Sequence, residues 1–136
     1  IPKRDWSSDV CSSDLGVAGA VLALSAPAFA HHSFAMFDYN KDHDVVGEVK
    51  ELQWVNPHIH LFVTAPAPNG RGTAVWDIEG GTPNNLLRQG WSRTVVKPGD
   101  KVTVSVHPLK NGDAGGQLVS AKRGDGTAIG SGNVGG

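Results

Sequence analysis

The stretch His58-Ile59-His60-Leu61-Phe62-Val63-Thr64 (HIHLFVT, residues 58–64) decides the fold. Side chains alternate across an extended chain, so Ile59, Leu61 and Val63 share one face while His58, His60 and Phe62 share the other. An apolar row backed by a mixed row predicts a half-buried strand. The same alternation points both histidines the same way.

Asn56-Pro57 breaks the chain just before this strand, and His43 to Trp54 precedes the break. There Val45, Val49 and Trp54 stand among Glu48, Lys50 and Glu51, as in a long curved strand interrupted at Gly47. On the other side, Pro66 to Gly72 with Asn69-Gly70 at its middle reads as a turn. It leads to a third strand at Thr73 to Glu79, in which Trp76 and Ile78 alternate with Val75, Asp77 and Glu79. A short helix is predicted next: Thr82 caps it, Pro83 suits its first position, and Gly90 takes the left-handed conformation that ends it. That ending folds Trp91 back onto Leu86. Lys97-Pro98-Gly99-Asp100 then turns the chain into a strand with Val102, Val104 and Val106 on one face. A glycine-rich loop, Asn111 to Gly116, leads to a last strand at Gln117 to Lys122.

Three strands, a helix and two more strands is the order of an OB-type barrel, whose helix plugs one end. The expected fold is therefore mainly β: a small five-stranded OB-like barrel with one short helix between strands 3 and 4. The 18 glycines and 8 prolines agree with short elements and many turns.

Three regions are expected along the chain. Residues 1–30 form a signal-peptide region: an apolar, alanine-rich run from Leu15 to Ala26 is followed by Ala28-Phe29-Ala30, whose small residues suit cleavage after Ala30. The run is too short to span a bilayer, so no stable membrane anchor is expected after cleavage. Residues 1–15 carry Asp5, Asp9 and Asp14 and read as a translated adaptor or assembly scar. Cys11, the single cysteine, lies in that scar, so the mature chain is expected to lack thiol chemistry and disulfides. Residues 31–123 form the β-barrel domain, and 124–136 a flexible Gly-rich tail. Beyond Ala30 ten Lys and Arg balance ten Asp and Glu, so there is no basic footprint for nucleic acid.

Several motifs stand in one order: His31-His32-Ser33-Phe34, Asn56-Pro57-His58, Trp76 followed by Glu79, Pro83 with Leu86, Gly90-Trp91 and Gly99-Asp100. Over about residues 31–125 the chain resembles an uncharacterised family of secreted, mostly proteobacterial proteins known as a domain of unknown function. The resemblance implies export and a β-rich fold. It implies no enzyme activity and brings no catalytic residues with it.

A chain that begins at His31 offers an amine and an imidazole from one residue, a pair that chelates Cu(II). With a third nitrogen from His58 or His60 the set resembles the histidine brace of copper-dependent polysaccharide monooxygenases and of some periplasmic copper carriers. Those proteins are immunoglobulin-like sandwiches, so the likeness extends to site chemistry alone. His32 is the alternative chelator, because an amine, the intervening amide and its ring hold Cu(II) without any fold. The competing structural reading has His58 bonding backbone groups at the strand end and His60 packing beside Phe62. His43, between Asp42 and Asp44, reads as a solvated turn, and His107 before Pro108 as a strand end. Asp77 and Glu79 have the spacing of an acid–base pair but read as the polar outer face of an edge strand. Trp54 and Trp76 read as core residues rather than a sugar platform.

The expected function is a non-catalytic, periplasmic or secreted binding protein, with Cu(II) at His31 and His58 or His60 as its sharpest form. The alternative is a metal-free envelope protein that serves as an interaction or structural module. Copper-dependent oxidation is the third class.

Overall fold

A computed structural model describes residues 34–131. The expected signal-peptide region and adaptor-like scar, and His31 and His32, lie outside the described residues. The described residues open with a 3₁₀ turn, Phe34–Met36, and among them five strands follow: β1 His43–Gln53, β2 His60–Pro66, β3 Thr73–Glu79, β4 Lys101–Pro108 and β5 Gly115–Arg123. One helix, α1 Pro83–Arg88, lies between β3 and β4. The strands close into a barrel in the order β1-β2-β3-β5-β4, with β4 returning to β1. Only β3 and β5 pair in parallel, as the OB order requires.

The apolar face read at residues 58–64 faces the barrel interior: Ile59, Leu61 and Val63 are each 0% exposed. They meet Val45 and Val49 of β1, Trp76 and Ile78 of β3, and Val102, Val104 and Val106 of β4 in one continuous core. The strand itself starts at His60 rather than His58. Ile59 bonds out of sheet register, giving its N–H to Gly81 O and accepting the Gly80 N–H.

β1 runs unbroken through Gly47, where the sequence suggested an interruption. A Cβ at Gly47 would lie 2.0 Å from the Thr64 carbonyl oxygen. The glycine thus permits close backbone approach where β1 passes from pairing with β4 to pairing with β2. His43 is the first residue of β1 rather than a turn, and its ring stacks on Trp76 with centroids 5.1 Å apart. Trp76 is core, and its indole N–H bonds Pro66 O at 3.0 Å. Trp54 lies just past β1 and packs half-buried against the core.

The helix follows its capping residues. The Thr82 hydroxyl accepts the Asn85 N–H, Pro83 opens the first turn, and Gly90 has φ of 92°. Trp91 then returns its N–H to Leu86 O at 2.9 Å, and both side chains are buried.

The C-terminal boundary differs from the sequence reading. The packed domain does not end at residue 123: Arg123 takes up Thr127 O, Ile129 N–H bonds Ala121 O, and Ser131 N–H bonds Gln89 O. Ile129 is 1% exposed and belongs to the core cluster. A single apolar residue in a Gly-rich run has enough surface to anchor it, because the hairpin after β5 supplies the backbone partners. Residues 132–136 lie outside the described residues.

Replacing Ile129 by Ala should therefore destabilise the domain by about 2–4 kcal/mol, the ordinary cost of truncating a buried aliphatic residue. Urea unfolding followed by tryptophan fluorescence measures it, and a change within about 0.5 kcal/mol, typical of a surface site, would contradict the packing described.

Candidate functional site

Barrel closure sets one polar residue from each strand at a single level of the outer surface. Gln53 of β1 faces His60 of β2, His60 faces Glu79 of β3, Glu79 faces Gln117 of β5, and Gln117 faces His107 of β4. All five are half-buried. Asp77 sits two residues before Glu79 and one diagonal step from His60, within reach of its ring.

His60 Nδ1 lies 2.7 Å from Asp77 Oδ1. An ionised carboxylate only accepts, so Nδ1 carries the proton and Nε2 of the neutral ring keeps its lone pair. The hydrogen bond to Asp77 raises the His60 pKa above its ordinary value; partial burial opposes this, and the charges of Asp77 and Glu79 add to it. The ring also stacks beside Phe62, with centroids 6.2 Å apart. His58 Nδ1 donates to Gly80 O at 3.1 Å, which again leaves Nε2 as the free nitrogen. That nitrogen lies 3.8 Å from Glu79 Oε1, an ion-pair distance rather than a hydrogen bond. Glu79 thus stands close to both rings, and its charge acts on His60. Both structural readings of the histidines hold as well, since His58 bonds backbone and His60 packs beside Phe62.

The belt continues beyond the expected residues. Tyr39 packs edge-on to His107 and to Phe37, with centroids 5.1 and 6.3 Å apart. Burial raises the Tyr39 pKa, the Glu79 charge raises it further, and a hydrogen bond with Gln117 partly offsets both. His107 Nδ1 faces Lys41 O at 3.0 Å and Asp42 Oδ1 at 3.2 Å. Sequence reasoning missed Tyr39 and Gln117. Gln117 was detectable as the polar member of a strand alternation, whereas Tyr39 precedes the first strand and has no periodic signal.

A cleft of about 90 Å³ lies at this belt, lined by Met36, Phe37 and Leu109 together with His60, Asp77, Glu79 and Gly116. The first chain segment is clipped beside it: Phe37 bridges to Leu109, Asp38 N–H bonds Pro108 O, and Met36 O accepts the Lys110 N–H at 2.9 Å. Glycines permit the close strand packing beside the cleft. A Cβ at Gly115 would stand 2.8 Å from Leu109 Cδ1, and one at Gly116 would stand 2.6 Å from His107 O. Asp77 and Glu79 do share a face, as expected, but β3 is not an edge strand there, because residues 77–79 pair with β5 as well as β2.

A family model of unknown function, DUF6152, matches residues 19–119. The chain belongs to the DUF6152 family. No curated protein and no solved structure matches it. The family description assigns no activity, so the roles of residues in this DUF6152 protein rest on geometry. Every belt and cleft residue from Met36 to Gln117 falls inside the family match, whereas the anchoring Ile129 lies outside it. Among the described residues no group of three or more His, Cys, Asp or Glu side chains could hold a metal ion. His58 and His60, of the expected set, are not part of any such group; the other two, His31 and His32, lie outside the described residues.

Asp77→Asn should lower the His60 pKa toward its ordinary value, measured by NMR titration of the imidazole protons. Because the folded pKa is raised, the pH-dependent stabilisation is complete below the unfolded value, about 6.5, and disappears as pH rises through the folded value. The variant should therefore lose stability chiefly at acidic pH. An unchanged His60 titration would refute the pairing.

Proposed function

We propose that this DUF6152 protein is an exported, non-catalytic small-barrel binding protein of the periplasm or the secreted fraction, released by cleavage after Ala30. Its binding surface is the outer belt around His60, and its sharpest form binds Cu(II) through the amine and ring of His31 with His60 or His58. His32 is the competing chelator. The observation that carries this reading is the His60–Asp77 hydrogen bond of 2.7 Å beside a cleft lined by Met36 of the first chain segment.

Metal-ligating histidines commonly give their other ring N–H to a carboxylate, which fixes the tautomer and raises the basicity of the ligating nitrogen. Asp77 does this for His60. The backbone of Gly80 does the same, more weakly, for His58. In the sequence His31 stands three residues before Phe34, the first residue of the 3₁₀ turn. A terminal amine with two imidazoles is a nitrogen set that favours Cu(II). Without it the described residues supply no three-donor set, and the same belt would then serve a metal-free envelope partner or a structural role.

Intact-mass spectrometry of the protein exported to a periplasm, recorded natively with one equivalent of Cu(II), tests the reading. The expected result is a mass beginning at His31 with a single retained copper. Retention should survive His32→Ala and fail when His58 and His60 are both replaced by Ala. A different start, or weak copper binding indifferent to the strand substitutions, would exclude the metal form and leave the metal-free module.

A further inference from the structure

We infer that the outer face of β2, β3 and the start of β5 binds a neutral oligosaccharide, with Phe62 as the stacking surface and Asp77, Glu79 and Gln117 as hydrogen-bonding groups. The inference rests on the proposed reading of the belt as a binding surface, names a ligand class for it, and requires no metal.

The strand register places these side chains together. Phe62 of β2 faces Asp77 of β3; two residues along, His60 faces Glu79, which in turn faces Gln117 of β5. At ordinary strand and residue spacings the face is about 10 Å across the strands and about 7 Å along them, the footprint of a short saccharide. Phe62 is half-buried, so part of an apolar ring stays in solvent beside these polar groups, and its plane lies 19° from that of His60.

Hydrogen-bonding capacity is left over on this face. The Glu79 side chain is only 13% exposed, and its ion-pair neighbour, His58 Nε2, stands at 3.8 Å, beyond hydrogen-bond length. A carboxylate accepts through both oxygens, so Glu79 has acceptor sites that no described residue fills. It opens on the cleft of about 90 Å³, room for about three waters. Gln117 engages Tyr39 with one end of its amide and keeps the other.

Charge selects the ligand. His58, in the loop between β1 and β2, reaches Glu79, and Ala114 O, in the loop between β4 and β5, accepts the Asp77 N–H at 3.2 Å, so both loops border the face. Barrels of this strand order take oligonucleotides or oligosaccharides at that position. β2 and β3 contain two carboxylates, Asp77 and Glu79, and no lysine or arginine, a balance that repels a phosphate backbone. A neutral sugar meets no such penalty: its hydroxyls donate to carboxylates and exchange hydrogen bonds with an amide, and its C–H face covers an aromatic ring.

The experiment is an NMR titration of the isotope-labelled exported protein, with EDTA present, by cellohexaose, maltohexaose and N-acetylated chitohexaose. At least one of them should give saturable amide shifts confined to β2, β3, the start of β5 and the two bordering loops. Phe62→Leu keeps an apolar side chain but removes the ring, and Gln117→Ala removes the amide; each should weaken binding at least about fivefold with circular dichroism unchanged. Thr103→Ala, on the outer side of β4, should leave binding unchanged. No saturable shift with any of the three at about 10 mM, shifts that map elsewhere, or affinity indifferent to the Phe62 and Gln117 substitutions overturns the inference. Single-stranded DNA binding at this face in place of the glycans overturns it as well. Copper retention, read separately by native mass spectrometry, keeps the two readings apart. Loss of glycan binding alone removes only the glycan, glycan binding without copper supports the inference and removes the metal form, and failure of both removes the belt as a binding surface.

Discussion

The parallel seam between β3 and β5 is the constraint on which the rest of this molecule depends. It spans three residue pairs, Asp77 with Gly115, Ile78 with Gly116 and Glu79 with Gln117. Through it the meander β1-β2-β3 and the hairpin β4-β5 become one closed surface, and the sheet gains a continuous interior. The seam also needs space. Gly115 and Gly116 provide it, since a Cβ at either would meet Asp77 O, Leu109 or His107 O at less than 3.0 Å. The residues that close the barrel and those that form the cleft are therefore neighbours, and a change in one disturbs the other.

Polarity is partitioned sharply by that closure. Among the described residues the buried set contains no polar or charged side chain, so the interior contributes apolar burial and no ion-pair chemistry. All of the titrating groups of interest stand on the outside, where solvent moderates their coupling. His60 is the exception in degree: a short hydrogen bond and partial burial act on it together, and the hydrogen bond prevails, so its pKa rises. The same partial enclosure acts on Tyr39 through burial and the Glu79 charge. Glu79, only 13% exposed in its side chain, adds its charge to both His60 and Tyr39.

The segments flanking the strands show how little apolar surface is needed to fix a chain once backbone partners exist. Phe37 before β1 and Ile129 after β5 each bury one side chain, and each is backed by main-chain bonds, to Pro108 and Lys110 in the first case and to Ala121 in the second. The first segment delivers Met36 to the cleft. The second carries Gly130 against Trp91, where a Cβ would lie 2.6 Å from the indole. Neither segment has a periodic pattern, because a lone anchor has no period.

The sequence by itself determined the five strands, the capped helix between the third and fourth, and the interior row of Ile59, Leu61 and Val63. Each follows from local rules: alternation over two residues, a Thr-Pro start, a left-handed glycine at a helix end. It also set His58 and His60 on the same side as a pair, and Asp77 and Glu79 as another, because side-chain direction in a strand is a local property. Only the tertiary structure decided that these two pairs meet. Their contact depends on the register of β2 against β3, in which His60 faces Glu79, and on the seam that adds Gln117 and His107 at the same level. The packing of residues 124–131 was likewise invisible, since a glycine-rich run reads as tail unless a partner is known. Period and propensity belong to neighbouring residues along the chain; register, closure and the meeting of remote side chains arise from the one way these strands bury their apolar faces together.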